Sequence, residues 1–120
     1  YIAEFHPFLS LLPYEPKLFE DGHAPLDGTY GTPAEPLTYE VDGTYADPEL
    51  ELEHKRTHFW PHGLGEIVTA LLDAGLEIEY LHEHPYTSWE QYEGMRERAD
   101  GLYEFPELEI PLMFSIKATL

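Results

Sequence analysis

The sequence predicts an α/β protein, and three observations carry that prediction. Apolar residues recur at spacings of three and four after Pro61, which is the period of an amphipathic helix. Beyond Gly75 the pattern changes to alternation over Leu76 to His84, which is the period of a strand. A near-continuous apolar run from Ile110 to Thr119 is typical of a strand buried on both faces. The residues of the helical stripe are Leu64, Ile67, Val68, Leu71 and Leu72.

The helix has recognisable signals at both of its ends. Pro61 suits its start, because the fixed φ and missing N–H of proline cost nothing there. Gly75 stands where the chain must turn left-handed to leave the helix. A helix that runs through one glycine into a strand is the unit of an α/β layer.

Composition limits the classes of partner and site. The 120 residues predict a single domain, and 24 acidic against 6 basic residues give a formal charge of −18. Nucleic acid and anionic membranes are therefore poor partners, since both require clustered Lys and Arg. The acids either form a solvated surface or reflect an organism with high internal salt. The absence of cysteine, of a signal-like N-terminus and of a long apolar run predicts a cytoplasmic protein.

The chain begins with a predicted strand over Tyr1 to Phe5. His6-Pro7 ends it, because proline cannot donate to a ladder. Phe8 to Leu12 predicts one or two helical turns, which Pro13 closes.

Residues 13–58 predict a lid-like excursion within the domain. Prolines and glycines between Pro13 and Pro36 prevent a long element there, while its aromatics are too many for a linker. Leu37 to Val41, Asp42-Gly43 and Thr44-Tyr45 predict a β-hairpin. Glu49 to His58 fits either a short strand or a loop. We expect these strands to lie outside the main sheet.

The C-terminal third predicts another helix before the last strand. His84-Pro85 ends the central strand as His6-Pro7 ends the first. Ser88 is a suitable cap for a helix over Trp89 to Ala99. Tyr103 to Pro106 is predicted as a connection.

The order of these segments resembles a known family. A strand ending in EFHP, a long excursion, LGEIVTALLDAGLEIEYLHEHPY and PLMFSIKAT resemble the C-terminal half of class I S-adenosylmethionine-dependent methyltransferases of the bacterial small-molecule type. The resemblance covers nearly the whole chain. It implies a partial Rossmann-like sheet in which Tyr1 to Phe5 and Leu76 to His84 are the fifth and sixth strands. Ile110 to Thr119 would be the seventh, antiparallel and between them.

One part of the family pattern is missing from these residues. No glycine-rich turn of the GxGxG type follows a strand, and no acidic strand end lies about 20 residues beyond one. Gly63 and Gly65 are the nearest glycines, but they open a helix and follow no strand. The resemblance therefore implies S-adenosylmethionine as cofactor of a complete enzyme, and no cofactor-binding residues in this chain alone.

Candidate site residues follow from where ligands bind in such sheets, beyond the carboxyl ends of parallel strands. The first strand delivers Glu4 and His6 to that edge, and the helix after the excursion starts there with His62. Both histidines either orient or deprotonate a methyl acceptor, or are structural, His6 beside Pro7 and His62 as a helix cap. The excursion's aromatics, Tyr39 and Trp60 among them, either form a core of their own or line an acceptor pocket.

Histidine spacing gives weak support for a metal. His54 and His58 are four apart, and His82 and His84 share one side of a strand. Two ligands do not close a site and no third is placed, so no metal is predicted.

Two hypotheses about function remain. The first is the substrate-side half of a methyltransferase that acts on a small molecule and is inactive alone. The second is a non-catalytic acidic binding or interaction module derived from that half. Either predicts a homodimer or self-association through the first strand or an exposed sheet face, because an apolar sheet edge tends to pair.

Overall fold

A computed structural model of the chain describes residues 1–12, 26, 28–44, 47 and 49–120. Within these ranges the protein is mixed α/β, with three antiparallel sheets and one α-helix. In chain order the elements are strand β1 (Ile2–Phe5), a 3₁₀ helix (Pro7–Leu11), β2 (Leu37–Glu40), β3 (Arg56–Phe59), helix α1 (Leu64–Asp73), β4 (Glu77–His84), β5 (Arg96–Glu97), β6 (Tyr103–Glu104) and β7 (Met113–Thr119). No described helix has the length and apolarity needed to cross a membrane.

The main sheet has the order β1-β7-β4, with β7 antiparallel to both neighbours. β1 and β4 are therefore parallel to each other, and the predicted place of the last strand between them is confirmed. β7 begins at Met113 rather than at Ile110, because Pro111 has no N–H for a ladder. Leu112 still joins both partners, since its N–H donates to the His84 carbonyl and its carbonyl accepts from the His6 N–H.

The first core lies between the main sheet and α1. Phe114 and Ile116 of β7 are each 1% exposed and pack with Leu64 at the start of the helix. Three helix residues and one strand residue pack around them, namely Ile67, Val68, Leu71 and Ile78. The predicted stripe is confirmed apart from Leu72, which is 53% exposed. One residue beyond Leu71 turns about a quarter of the way around a helix, so Leu72 leaves the apolar face.

A second core lies beyond the ends of β1 and β4. The predicted turn after Pro7 is confirmed as the 3₁₀ helix, and it delivers Leu12 to this cluster. The other buried members are Tyr92, Met95, Phe105 and Leu112. β1 ends at Phe5, the residue before His6-Pro7, and β4 ends at the histidine of His84-Pro85, as predicted.

The predicted hairpin about Asp42-Gly43 is wrong. β2 pairs with β3, with Leu37 opposite Phe59 and Glu40 opposite Arg56. β3 has the same length as β2 and places the basic Arg56 opposite the acidic Glu40. The segment after Gly43 turns at once instead, since the Thr44 N–H donates to the Asp47 carbonyl. Tyr45 lies outside the described residues. Residues 56–59 of the segment left open are a strand, and the ribbon lies outside the main sheet as predicted.

The predicted helix over Trp89 to Ala99 is also wrong. Gly94 has φ of 92°, which an α-helix does not allow. Arg96–Glu97 instead pairs with Tyr103–Glu104 as β5 and β6, so the predicted connection contains a strand. Arg96 Nη2 and Glu104 Oε1 are 2.5 Å apart across this pair. The cap signal at Ser88 was local, and the cross-strand partners outweigh it.

Only part of the predicted excursion can be compared with the structure. Residues 13–25, 27, 45, 46 and 48 lie outside the described ranges. Residues 28–36 lead into β2. Ser10 Oγ, in the 3₁₀ helix, fixes the beginning of this segment by donating to the Thr29 carbonyl at 2.8 Å. Gly28 has φ of 116°, and a Cβ there would lie 2.3 Å from the Ser10 carbonyl oxygen. Glycine is therefore required at this point.

Candidate functional site

A cleft of about 390 Å³ opens at the start of α1. One wall comes from the excursion and the other from the first turn of the helix. The lining residues are Thr29, Tyr30, Gly31, Thr32, Gly63, Gly65 and Glu66. Three of the seven are glycines, so much of the lining is bare backbone.

Glu66 joins the two walls of the cleft. Its Oε2 accepts from the Gly63 N–H at 2.6 Å. This is one of the two hydrogen bonds of a capping box, and the other cannot form because glycine has no side chain. The same oxygen accepts from the Thr32 N–H at 3.1 Å. The Gly63 N–H is the main cause that holds the pKa of Glu66 below its usual value of 4.5. The carboxylate is therefore ionised at neutral pH and fastens the excursion to α1.

Tyr30 forms the aromatic side of the cleft. Its hydroxyl accepts from the Leu64 N–H at 3.3 Å, which satisfies another free donor of the first helical turn. A Cβ at Gly63 would lie 3.1 Å from Tyr30 Cε1 and 3.3 Å from Glu66 Oε2. Glycine at position 63 thus lets the ring lie directly against the start of the helix.

His62 is the predicted site residue that lies nearest to this cleft: it does not line the cleft itself, but it bonds Thr32, which does. Its Nδ1 lies 2.6 Å from Thr32 Oγ1, and the side chain is exposed. Thr32, Tyr30 and Glu66 were not predicted. Glu66 had a recognisable signal, an acidic residue three positions after a helix cap. Thr32 and Tyr30 had none, because their contacts with α1 span about 30 residues of chain.

The other four predicted residues do not line the cleft. Glu4 is exposed on β1, opposite Phe114, and Tyr39 and Trp60 are 46% and 43% exposed on or beside the β2–β3 ribbon. His6 is 5% exposed. Its Nδ1 accepts from the Phe8 N–H at 3.0 Å, and its Nε2 bonds Glu83 Oε1 at 2.9 Å. Both nitrogens of His6 are therefore bonded within the protein.

A ladder of aromatic rings follows one side of β4. Tyr80 stacks on His82 with ring centroids 4.6 Å apart, and His84 stacks on Tyr86 at 5.1 Å. His84 Nε2 bonds Ser115 Oγ at 3.0 Å, and its Nδ1 bonds the Tyr86 hydroxyl at 3.1 Å. His82 and His84 lie on the same side, as predicted. No group of three or more potential metal ligands occurs among the described residues.

Comparison of the chain with known protein families, with curated proteins and with solved structures gave no match. The function proposed for the cleft therefore depends on the chain's own residues and topology.

Glu66→Gln is expected to lower the melting temperature at neutral pH and to flatten its decline in acid. A carboxylate whose pKa is lowered by folding stabilises the protein at pH values above the pKa that it has in the unfolded chain. This stabilisation is lost as the pH falls through the pKa of the folded state. The amide has no such titration. Circular dichroism melts from pH 7 to pH 3 measure the effect, with the exposed Glu90→Gln as control. Parallel pH profiles for wild type and Glu66→Gln would contradict this role.

Proposed function

We propose that residues 1–120 form the substrate-side, C-terminal part of an S-adenosylmethionine-dependent methyltransferase that acts on a small molecule. The observation that carries the proposal is the strand order β1-β7-β4, with the last strand antiparallel between two parallel ones. α1 lies between β1 and β4 in the chain, as the sequence resemblance requires. The cleft at the start of α1 is the place for the methyl acceptor.

The residues present do not fit the cofactor. The glycine-lined part of the cleft follows no strand of the main sheet, and the N–H groups of Gly63 and Leu64 already donate to Glu66 and Tyr30. An ionised carboxylate stands where the carboxylate of the cofactor's methionine moiety would need donors. We therefore place the cofactor on a segment outside residues 1–120, and the chain's own contribution is to bind and orient the acceptor.

The test compares residues 1–120 with the complete product of the gene. Isothermal titration calorimetry with S-adenosylmethionine is expected to give saturable binding by the complete protein and none by residues 1–120. The complete sequence is expected to carry a glycine-rich strand-turn-helix before Tyr1. Binding by residues 1–120 alone would overturn the placement of the cofactor. A complete protein that binds no S-adenosylmethionine would overturn the proposed function.

The second candidate is a non-catalytic acidic interaction module, and one observation bears on the self-association that both candidates predict. The outer edge of β1 has no strand partner among the described residues, and Tyr1 and Ile2 are 79% and 40% exposed there. Such an edge offers N–H and C=O groups to another strand. Light scattering over a range of concentrations is expected to give a molecular mass twice the 13.9 kDa of one chain, and Ile2→Lys is expected to lower that mass. A wild-type chain that stays at 13.9 kDa throughout would remove self-association.

A further inference from the structure

The cleft at the start of α1 contains a carboxylate that is fixed in place and still able to accept hydrogen bonds. Glu66 Oε2 accepts from the Gly63 and Thr32 N–H groups at 2.6 and 3.1 Å. Among the described contacts, Oε1 has only the Thr32 N–H, at 3.4 Å. A carboxylate has about four lone-pair sites, so Oε1 can accept from a ligand while Oε2 holds the side chain against the backbone.

The positive partner of this carboxylate is missing from the described part of the chain. The five Lys and Arg side chains that the structure describes all form ion pairs with other carboxylates. The formal charge of −18 adds a negative potential that attracts cations and repels anions. Two donors that would draw an anion to a helix start, the N–H groups of Gly63 and Leu64, already donate to Glu66 and Tyr30. The cleft is therefore suited to a cation.

The aromatic wall of the cleft lies beside the same carboxylate. Tyr30 Cε1 and Glu66 Oε2 lie 3.1 and 3.3 Å from one point, which is the place that a Cβ would occupy at Gly63. A cation is attracted by the face of an aromatic ring within about 6 Å of its centroid. One ammonium group can thus donate to the carboxylate and lie near the ring.

Gly65 has no reason within the described chain to be glycine. Six of the eight described glycines have a positive φ, and at Gly63 a Cβ would press on the Tyr30 ring. Gly65 has neither feature, since it belongs to α1 and a Cβ there would meet no other part of the chain within 4 Å. Glycine in a helix costs more backbone entropy than alanine does. The effect of the missing side chain is to keep this wall of the cleft open.

We infer that the cleft binds a small organic cation of the arylalkylammonium class, whose ammonium group donates to Glu66 Oε1 and whose flat body passes over Gly65. A flat group approaches bare glycine backbone closely, and the volume of about 390 Å³ suits a small molecule. That this molecule is the methyl acceptor rests on the proposed function. The binding itself requires only residues of this chain.

The first experiment tests the charge of the ligand. Isothermal titration calorimetry with 2-phenylethylamine at neutral pH, in about 0.15 M NaCl to screen the general surface charge, is expected to show saturable binding at one site. The neutral analogue 2-phenylethanol is expected to bind at least about tenfold more weakly, since it lacks the charged donor. Equal affinity for amine and alcohol, or no saturable binding of the amine, would overturn the inference.

The second experiment tests the carboxylate. Glu66→Gln is expected to weaken binding of 2-phenylethylamine at least about tenfold, the loss of one charged hydrogen bond. The exposed Glu90→Gln removes the same charge away from the cleft and is expected to bind as wild type does. An unchanged affinity of Glu66→Gln would overturn the inference. An equal loss in both variants would also overturn it, because the amine would then follow the total charge of the chain.

The third experiment tests the open wall without removing any contact of the fold. Gly65→Leu places a side chain at the cleft and is expected to weaken binding about tenfold, while its melting temperature stays at or above that of wild type. Ala70→Leu, at an exposed position of the same helix, is expected to leave binding unchanged. A folded Gly65→Leu that binds the amine as wild type does would refute this placement of the ligand. None of these experiments involves S-adenosylmethionine, so their failure is distinct from failure of the methyltransferase proposal.

Discussion

Phe114→Ala is expected to reduce the free energy of unfolding by about 3–5 kcal/mol. The ring is 1% exposed and lies between the main sheet and α1, with Leu64 and Ile116 in the same cluster. β7 is the central strand, so the cavity would weaken its packing against both neighbours at once. A small domain has about 5–15 kcal/mol in total, so this single change removes much of it. Urea denaturation followed by circular dichroism measures the loss.

Phe59→Ala is the matched control for that prediction. Phe59 is also a strand phenylalanine, but it lies on the β2–β3 ribbon and is 46% exposed. Its removal leaves no closed cavity and is expected to cost less than about 1 kcal/mol. Equal losses for the two variants would mean that the cluster beneath α1 is not the main core.

The sequence predicted the main sheet and α1 because their signals are local or run along one element. The helical stripe before Gly75 and the alternation after it each span several residues with one period. The resemblance then placed the last strand between β1 and β4. The same local reasoning failed at Asp42-Gly43 and Ser88, where good turn and cap residues were present. At both places the strand that forms has a partner elsewhere, β3 for β2 and β6 for β5.

The candidate site was predicted only in part for a related reason. His62 was found because it stands at the start of a strongly periodic helix. Thr32, which bonds His62, and Glu66, which bonds Thr32, differ in how far they lie from His62 along the chain. Glu66 belongs to the same helical turn and follows from cap chemistry. Thr32 belongs to the excursion and meets α1 through contacts of 30 and 34 residues' separation, which no local period reports.

His6→Ala is expected to reduce the free energy of unfolding by about 2–4 kcal/mol, since it opens a cavity and leaves the partly buried Phe8 N–H without its acceptor. The ring bridges two strands that do not touch each other, because β7 separates β1 from β4. It lies edge-on to Phe114, with ring centroids 6.2 Å apart. Its Nδ1 also caps the 3₁₀ helix that delivers Leu12 to the second core. One side chain thus ties both cores to the main sheet.

The bridge from His6 to Glu83 joins a neutral imidazole to a carboxylate and is not an ion pair, and Glu83→Gln tests this. Because the Phe8 N–H donates to Nδ1, the ring proton lies on Nε2 and donates to Glu83 Oε1. Glutamine keeps an acceptor oxygen in that place. Glu83 is 52% exposed, so water already screens its charge and removing that charge costs little stability. We expect Glu83→Gln to cost about 1 kcal/mol or less, well below His6→Ala. If the two variants lose the same free energy of unfolding, and the loss shrinks in high salt, then His6 is protonated and the bridge is ionic.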